Sequence, residues 1–106
     1  MRILFDQGTP VPLREFLSSH QVETAFERGW STLSNGDPLA AADQEGFEVF
    51  VTTDKNLRNQ QSLGGLRIAI VVLSSTSWPR IQKSATAVKQ AIDAALPGIF
   101  NEVEIP

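Results

Sequence analysis

The stretch Phe47-Glu48-Val49-Phe50-Val51-Thr52-Thr53-Asp54-Lys55-Asn56 is dense in aromatic and β-branched residues up to Thr53 and then breaks at Asp54. Such side chains fit a pleated, half-buried surface, so residues 47–53 predict a strand that stops beside an aspartate. Eleven positions on, Arg67-Ile68-Ala69-Ile70-Val71-Val72-Leu73 is apolar on both faces, as a central parallel strand covered by helices requires. At the start of the chain, Arg2-Ile3-Leu4-Phe5 is a shorter apolar run that halts at the turn cluster Asp6-Gln7-Gly8-Thr9-Pro10. It predicts another buried strand, again closed by an aspartate.

The segments between these runs predict helices and two further strands. Thr9 precedes Pro10, and Val11, Leu13, Phe16 and Leu17 recur with helical spacing, so a helix is expected from there to residues 18–20, with Pro12 tolerated in its first turn. Residues 21–25 predict a short strand, followed by a helical turn over 26–30 closed by Gly29. Asn35-Gly36-Asp37 signals a turn and a helix start, residues 38–42 suit the helix, and Gly46 ends it. Residues 57–66 predict a short helix and a turn. A long helix is expected over 78–96, with Ile81, Ala85, Val88 and Ile92 on one face and Pro97-Gly98 as its stop. Residues 100–105 predict an edge strand.

Strands alternating with helical segments imply crossover connections and a mostly parallel sheet, hence an α/β/α sandwich of three layers. In such sheets ligands bind at the carboxyl ends of the strands. Asp6, Asp54 and Ser74 all fall at that edge.

With 106 residues and no composition break, the chain reads as a single domain over 1–106, large enough to fold without disulfides or a structural metal. An oligomeric or partner interface could still supplement its core. The chain has no cysteine, which removes disulfides, cysteine zinc sites and thiol nucleophiles and fits a reducing, cytoplasmic setting. With His20 the only histidine, realistic metal chemistry is oxygen-ligated and favours magnesium or manganese. A net charge of −3 excludes a basic nucleic-acid-coating protein and a polybasic membrane patch. No apolar run approaches the roughly 20 residues of a membrane span, and the N-terminus carries no signal-peptide pattern.

Two aspartates at the ends of neighbouring strands repel each other unless a cation lies between them, which makes Asp6 and Asp54 a candidate metal site. Helix or turn capping is the competing explanation for each alone. Asn35 and Asp37, ahead of the middle helix, and Asn56, two residues past Asp54, are further oxygen ligands in reach; for them capping is the stronger reading. His20, at a helix end, is expected to have no catalytic role. Trp30 and Trp78 read as packing residues or interface anchors, and Lys55, Arg58 and Arg67 as cations that could meet phosphates. No P-loop and no serine nucleophile elbow is present.

Two families place one aspartate after the first strand and another after a later one. A phosphoacceptor receiver domain would use Asp54 as acceptor and Ser74 as the later hydroxyl, but it wants a second acid where Gln7 stands. The closer resemblance is to the small PIN-like proteins. It is carried by Arg2-Ile3-Leu4-Phe5-Asp6-Gln7-Gly8-Thr9-Pro10-Val11-Pro12-Leu13, by Asn35-Gly36-Asp37-Pro38-Leu39-Ala40-Ala41-Ala42 and by Phe50-Val51-Thr52-Thr53-Asp54-Lys55-Asn56-Leu57.

This resemblance implies a PIN-like α/β/α fold, magnesium- or manganese-dependent endoribonuclease chemistry, and the role of toxin in a toxin–antitoxin pair. RNA would be the substrate, and a small antitoxin-like protein or a second copy of the chain the partner. Asp6 and Asp54 match family acids directly. The acid expected before the middle helix maps onto Asn35 or, with a shift of two residues, onto Asp37, and Asn56 stands where many relatives have Asp. Gln7 replaces a frequent Glu. The alternative is a catalytically degenerate PIN-like module that binds a protein partner, suggested by asparagine at two ligand positions.

Overall fold

The five apolar runs pair into one sheet in the computed structural model, which describes residues 1–30, 37–57 and 65–106, with Asp37 described by its backbone. The strands are β1 (Arg2–Phe5), β2 (Gln21–Thr24), β3 (Val49–Thr52), β4 (Ala69–Leu73) and β5 (Phe100–Val103). Their order across the sheet is β2-β1-β3-β4-β5, and every neighbouring pair is parallel. In register, Phe5 lies opposite both Thr24 of β2 and Val51 of β3.

Alternation along each strand sends side chains to opposite faces, and helices cover both. On one face Ile3, Phe5, Val49, Val51, Val71 and Leu73 are buried against the 3-10 helix Val11–Leu17 and the helices α2 (Trp78–Lys83) and α3 (Ala85–Asp93). On the other, Leu4, Phe50, Ile70 and Val72 meet Leu39 and Ala42 of α1 (Asp37–Gln44), together with Leu57 and Ile68. The architecture is the expected three-layer α/β/α sandwich. Among the described residues, no helix is long and apolar enough to cross a membrane.

Several expected elements change character. The first helix is a 3-10 helix; Pro10 stands at its N-cap without a side-chain cap, and Pro12 in its first turn supplies no amide hydrogen. Thr9 does not cap it, because the Thr9 hydroxyl is buried and donates to the Val51 carbonyl at 2.9 Å. The long helix expected over 78–96 is two helices, broken at Ser84 with φ −109° and ψ 15°. The face was nevertheless right, since Ile81, Ala85, Val88 and Ile92 are all buried. The segment 57–66 falls largely outside the described residues, as do Asn35 and Arg58.

The crossovers do not all share one hand. The chain moves from β1 to β2 over the face of the 3-10 helix, then back past β1 to β3 over the α1 face, two moves of the same hand. From β4 to β5 it continues in the β1-to-β3 direction but over the face of the 3-10 helix, so this crossover has the opposite hand. Parallel crossovers are right-handed in about 98% of cases. Here α2 and α3 instead fill the layer beside the 3-10 helix.

Candidate functional site

The strand order reverses at β1, which sends the chain first to β2 and later to β3 on its other side. Such a switch point opens a crevice at the carboxyl ends of the two central strands, where open α/β sheets bind ligands. Asp6 is the first residue after β1 and Asp54 the second after β3, so the two predicted acids stand at this switch point. Both are half-buried.

A single hydroxyl joins them. Thr52, fully buried at the end of β3, donates from Oγ1 to Asp6 Oδ2 at 2.9 Å and accepts from the Asp54 amide at 3.1 Å. Asp6 Oδ2 and the Asp54 nitrogen are therefore no farther apart than the sum of those two bonds. The other Asp6 oxygen, Oδ1, accepts from the Gln7 amide at 2.8 Å, and the Asp6 amide donates to the Val51 carbonyl at 2.8 Å. Asp54 Oδ1 accepts from the Asn56 amide at 3.0 Å, and the Leu57 amide reaches the Asp54 carbonyl at 3.2 Å. The loops are packed together as well: a Cβ at Gly8 would collide with Thr53 Oγ1.

The capping explanation thus holds for Asp54, which shapes its own turn at the carboxyl end of β3. Asn56 contributes its backbone amide to that turn, and its side chain is exposed. Asp37 opens α1; Asn35 lies outside the described residues. Among the described residues no group of three or more His, Asp or Glu side chains is placed to hold a metal. A carboxylate has about four lone-pair sites, so the bonds named above leave acceptor capacity on Asp6. Magnesium is commonly held by one or two carboxylates, several waters and substrate phosphate, and in donor type Asp6 and Asp54 suit such an ion.

The remaining polar residues sort by their place along the strands. Ser74, expected at the same edge, accepts on its hydroxyl from the Ile105 amide at 2.6 Å and so faces the β5 side. Lys55 is exposed on the turn after Asp54. Arg67 precedes β4 and therefore stands at the opposite edge, around a hollow it lines with Asp43, Phe47 and Glu48; it cannot meet a phosphate at Asp6. His20 is also away from the crevice. Its Nδ1 lies 3.1 Å from the Met1 amine and its Nε2 2.7 Å from Asp93 Oδ1. Lys89 and His20 hold the Asp93 carboxyl below its ordinary range. The two tryptophans pack: Trp30 meets Phe47 edge-on at 6.1 Å, and Trp78 meets Phe16 at 6.0 Å.

Two features of this edge escaped sequence reading. Thr52 looked like one more strand residue, and Phe26, 79% exposed, like part of a turn. No family model matches the chain, and comparison with curated proteins and with solved structures yields no match.

Proposed function

We propose that the chain is a PIN-like, magnesium- or manganese-dependent endoribonuclease, working as the toxin of a toxin–antitoxin pair. The observation that carries the catalytic part is the placement of Asp6 and Asp54 on either side of the β1/β3 switch point, linked through the Thr52 hydroxyl. The toxin role and its small protein antitoxin rest on the PIN-like resemblance of the sequence.

In this reading Asp6 and Asp54 hold the cation, with Asp37 as a further ligand or water-positioning group from the start of α1. A cation there supplies Lewis-acid charge for the scissile phosphate and lowers the pKa of a bound water. The chain's own contribution is orientation. The Gln7 amide and the Thr52 hydroxyl fix both oxygens of Asp6, and the Asn56 amide fixes one of Asp54. Lys55 offers an exposed ammonium to a neighbouring phosphate.

The strand order 2-1-3-4-5 is shared with receiver domains. Parallel crossovers in such sheets are right-handed almost without exception, so the reversed β4–β5 crossover departs from the uniformly wound receiver fold.

The test is cleavage of single-stranded RNA by purified protein in magnesium or manganese and in EDTA, beside Asp6→Asn and Asp54→Asn. We expect metal-dependent cleavage that drops at least roughly 100-fold in either variant, the order of loss seen when a metal site is disturbed. Cleavage that is absent, or that survives both substitutions, refutes the nuclease; its absence leaves the degenerate protein-binding module.

A further inference from the structure

The turn after β2 brings an exposed aromatic ring to the edge that carries the two aspartates. The Ala25 amide donates to the Phe5 carbonyl at 2.9 Å, extending the β1–β2 ladder by one residue, so the chain enters the turn directly beside Asp6. Phe26 follows. Its ring is the most exposed large apolar side chain among the described residues. Neighbouring strands lie roughly 4.8 Å apart, which sets Phe26, Asp6 and Asp54 in a row along the sheet edge.

The exposure is built in. Thr24 and Glu27 form a reciprocal cap: the Glu27 amide donates to Thr24 Oγ1 at 3.1 Å and the Thr24 amide to Glu27 Oε1 at 2.9 Å. Arg14 clamps the same carboxylate with two bonds of 3.0 and 3.2 Å, and Gly29 closes the turn at φ +76°. The turn that carries the exposed ring is thus held in place by side-chain bonds.

We propose that Phe26 is a stacking platform for a nucleobase of single-stranded RNA whose backbone runs along the Asp6–Asp54 crevice. The inference rests on the nuclease reading and adds to it a residue that grips the substrate. Single-stranded RNA offers unstacked bases to aromatic side chains, whereas a duplex keeps them paired. Phe26 stands in the chain between buried Ala25 and ion-paired Glu27, so its ring emerges from a turn that carries charge. Lys55, exposed past Asp54, supplies a cation at the other end of the row.

The experiment measures fluorescence anisotropy of a short labelled oligoribonucleotide in magnesium, with its integrity checked on a gel, and of the same strand carrying abasic positions. Wild type is compared with Phe26→Ala, Phe26→Leu and Phe26→Trp, each first shown by melting to be folded. Phe26→Ala and Phe26→Leu should weaken binding roughly five- to 150-fold, the range of one aromatic–base stack, while Phe26→Trp keeps or improves it. The abasic strand should bind all four proteins alike. Leucine binding as well as phenylalanine, or an abasic strand insensitive to its missing bases, overturns the proposal. So does an oligomer in sedimentation that Phe26→Ala dissolves, because the ring then belongs to a protein interface. Cleavage that needs Asp6 while RNA affinity ignores Phe26 would fail this inference alone; Phe26-dependent binding without metal-dependent cleavage would fail the nuclease alone.

Discussion

The Thr52 hydroxyl holds one carboxylate and one amide at the same time, and it does so where no water reaches it. Replacing Thr52 with valine keeps the shape and removes both bonds, leaving the Asp54 amide without its acceptor. A hydrogen bond of this kind contributes about 0.5–1.5 kcal/mol, so losing the two together costs about 1–3 kcal/mol. Urea unfolding of Thr52→Val should show a loss of that size, and Thr52→Ser should recover most of it. RNA cleavage should fall in the valine variant and return in the serine one, since the hydroxyl sets the angle of Asp6. From the sequence, Asp6 and Asp54 were legible because apolar runs stop at them. Thr52 was not, because nothing local distinguishes a threonine that bridges two strands from one that merely favours a strand.

At the scale of single elements, the turn 24–29 depends on ionised Glu27. The Arg14 guanidinium first, and the Thr24 amide second, hold its carboxyl below the ordinary glutamate value of 4.5. The stabilisation is therefore complete above 4.5 and is lost as the pH falls through the lowered value of the folded protein. Both partners are near the surface, so the contribution is less than about 1 kcal/mol. Glu27→Gln should melt slightly lower than wild type at neutral pH, and the gap should close when both are melted in strong acid. The pattern Thr24-Ala25-Phe26-Glu27 spells a cap in the sequence, but the overlap with a strand end masked it. The break at Ser84 had no such local sign: the apolar spacing of Ile81, Ala85, Val88 and Ile92 runs straight through it.

On the scale of the whole molecule, one sheet separates two apolar layers, and the layer of the 3-10 helix draws its side chains from both ends of the chain. Ile81 of α2 is fully buried there with Leu13 and Leu17. Ile81→Ala should cost about 2–5 kcal/mol. Because the strands carry both layers, the loss should appear as one shifted transition by circular dichroism and by tryptophan fluorescence alike, since Trp30 and Trp78 report from opposite faces. Two separate transitions would show the faces to be independent.

The sequence by itself determined that there are five strands, the last residues of β1 and β4, and the burial of β4 on both faces, because each is written in local periodicity and turn chemistry. It also determined that any metal here is bound by oxygen. Only the tertiary structure decided that β1 lies beside β3, that the last crossover reverses its hand, that Thr52 joins Asp6 to the Asp54 turn, and that Phe26 shares their edge. Those facts depend on pairing between residues far apart in the chain, and pairing energy leaves no mark on the spacing of neighbours.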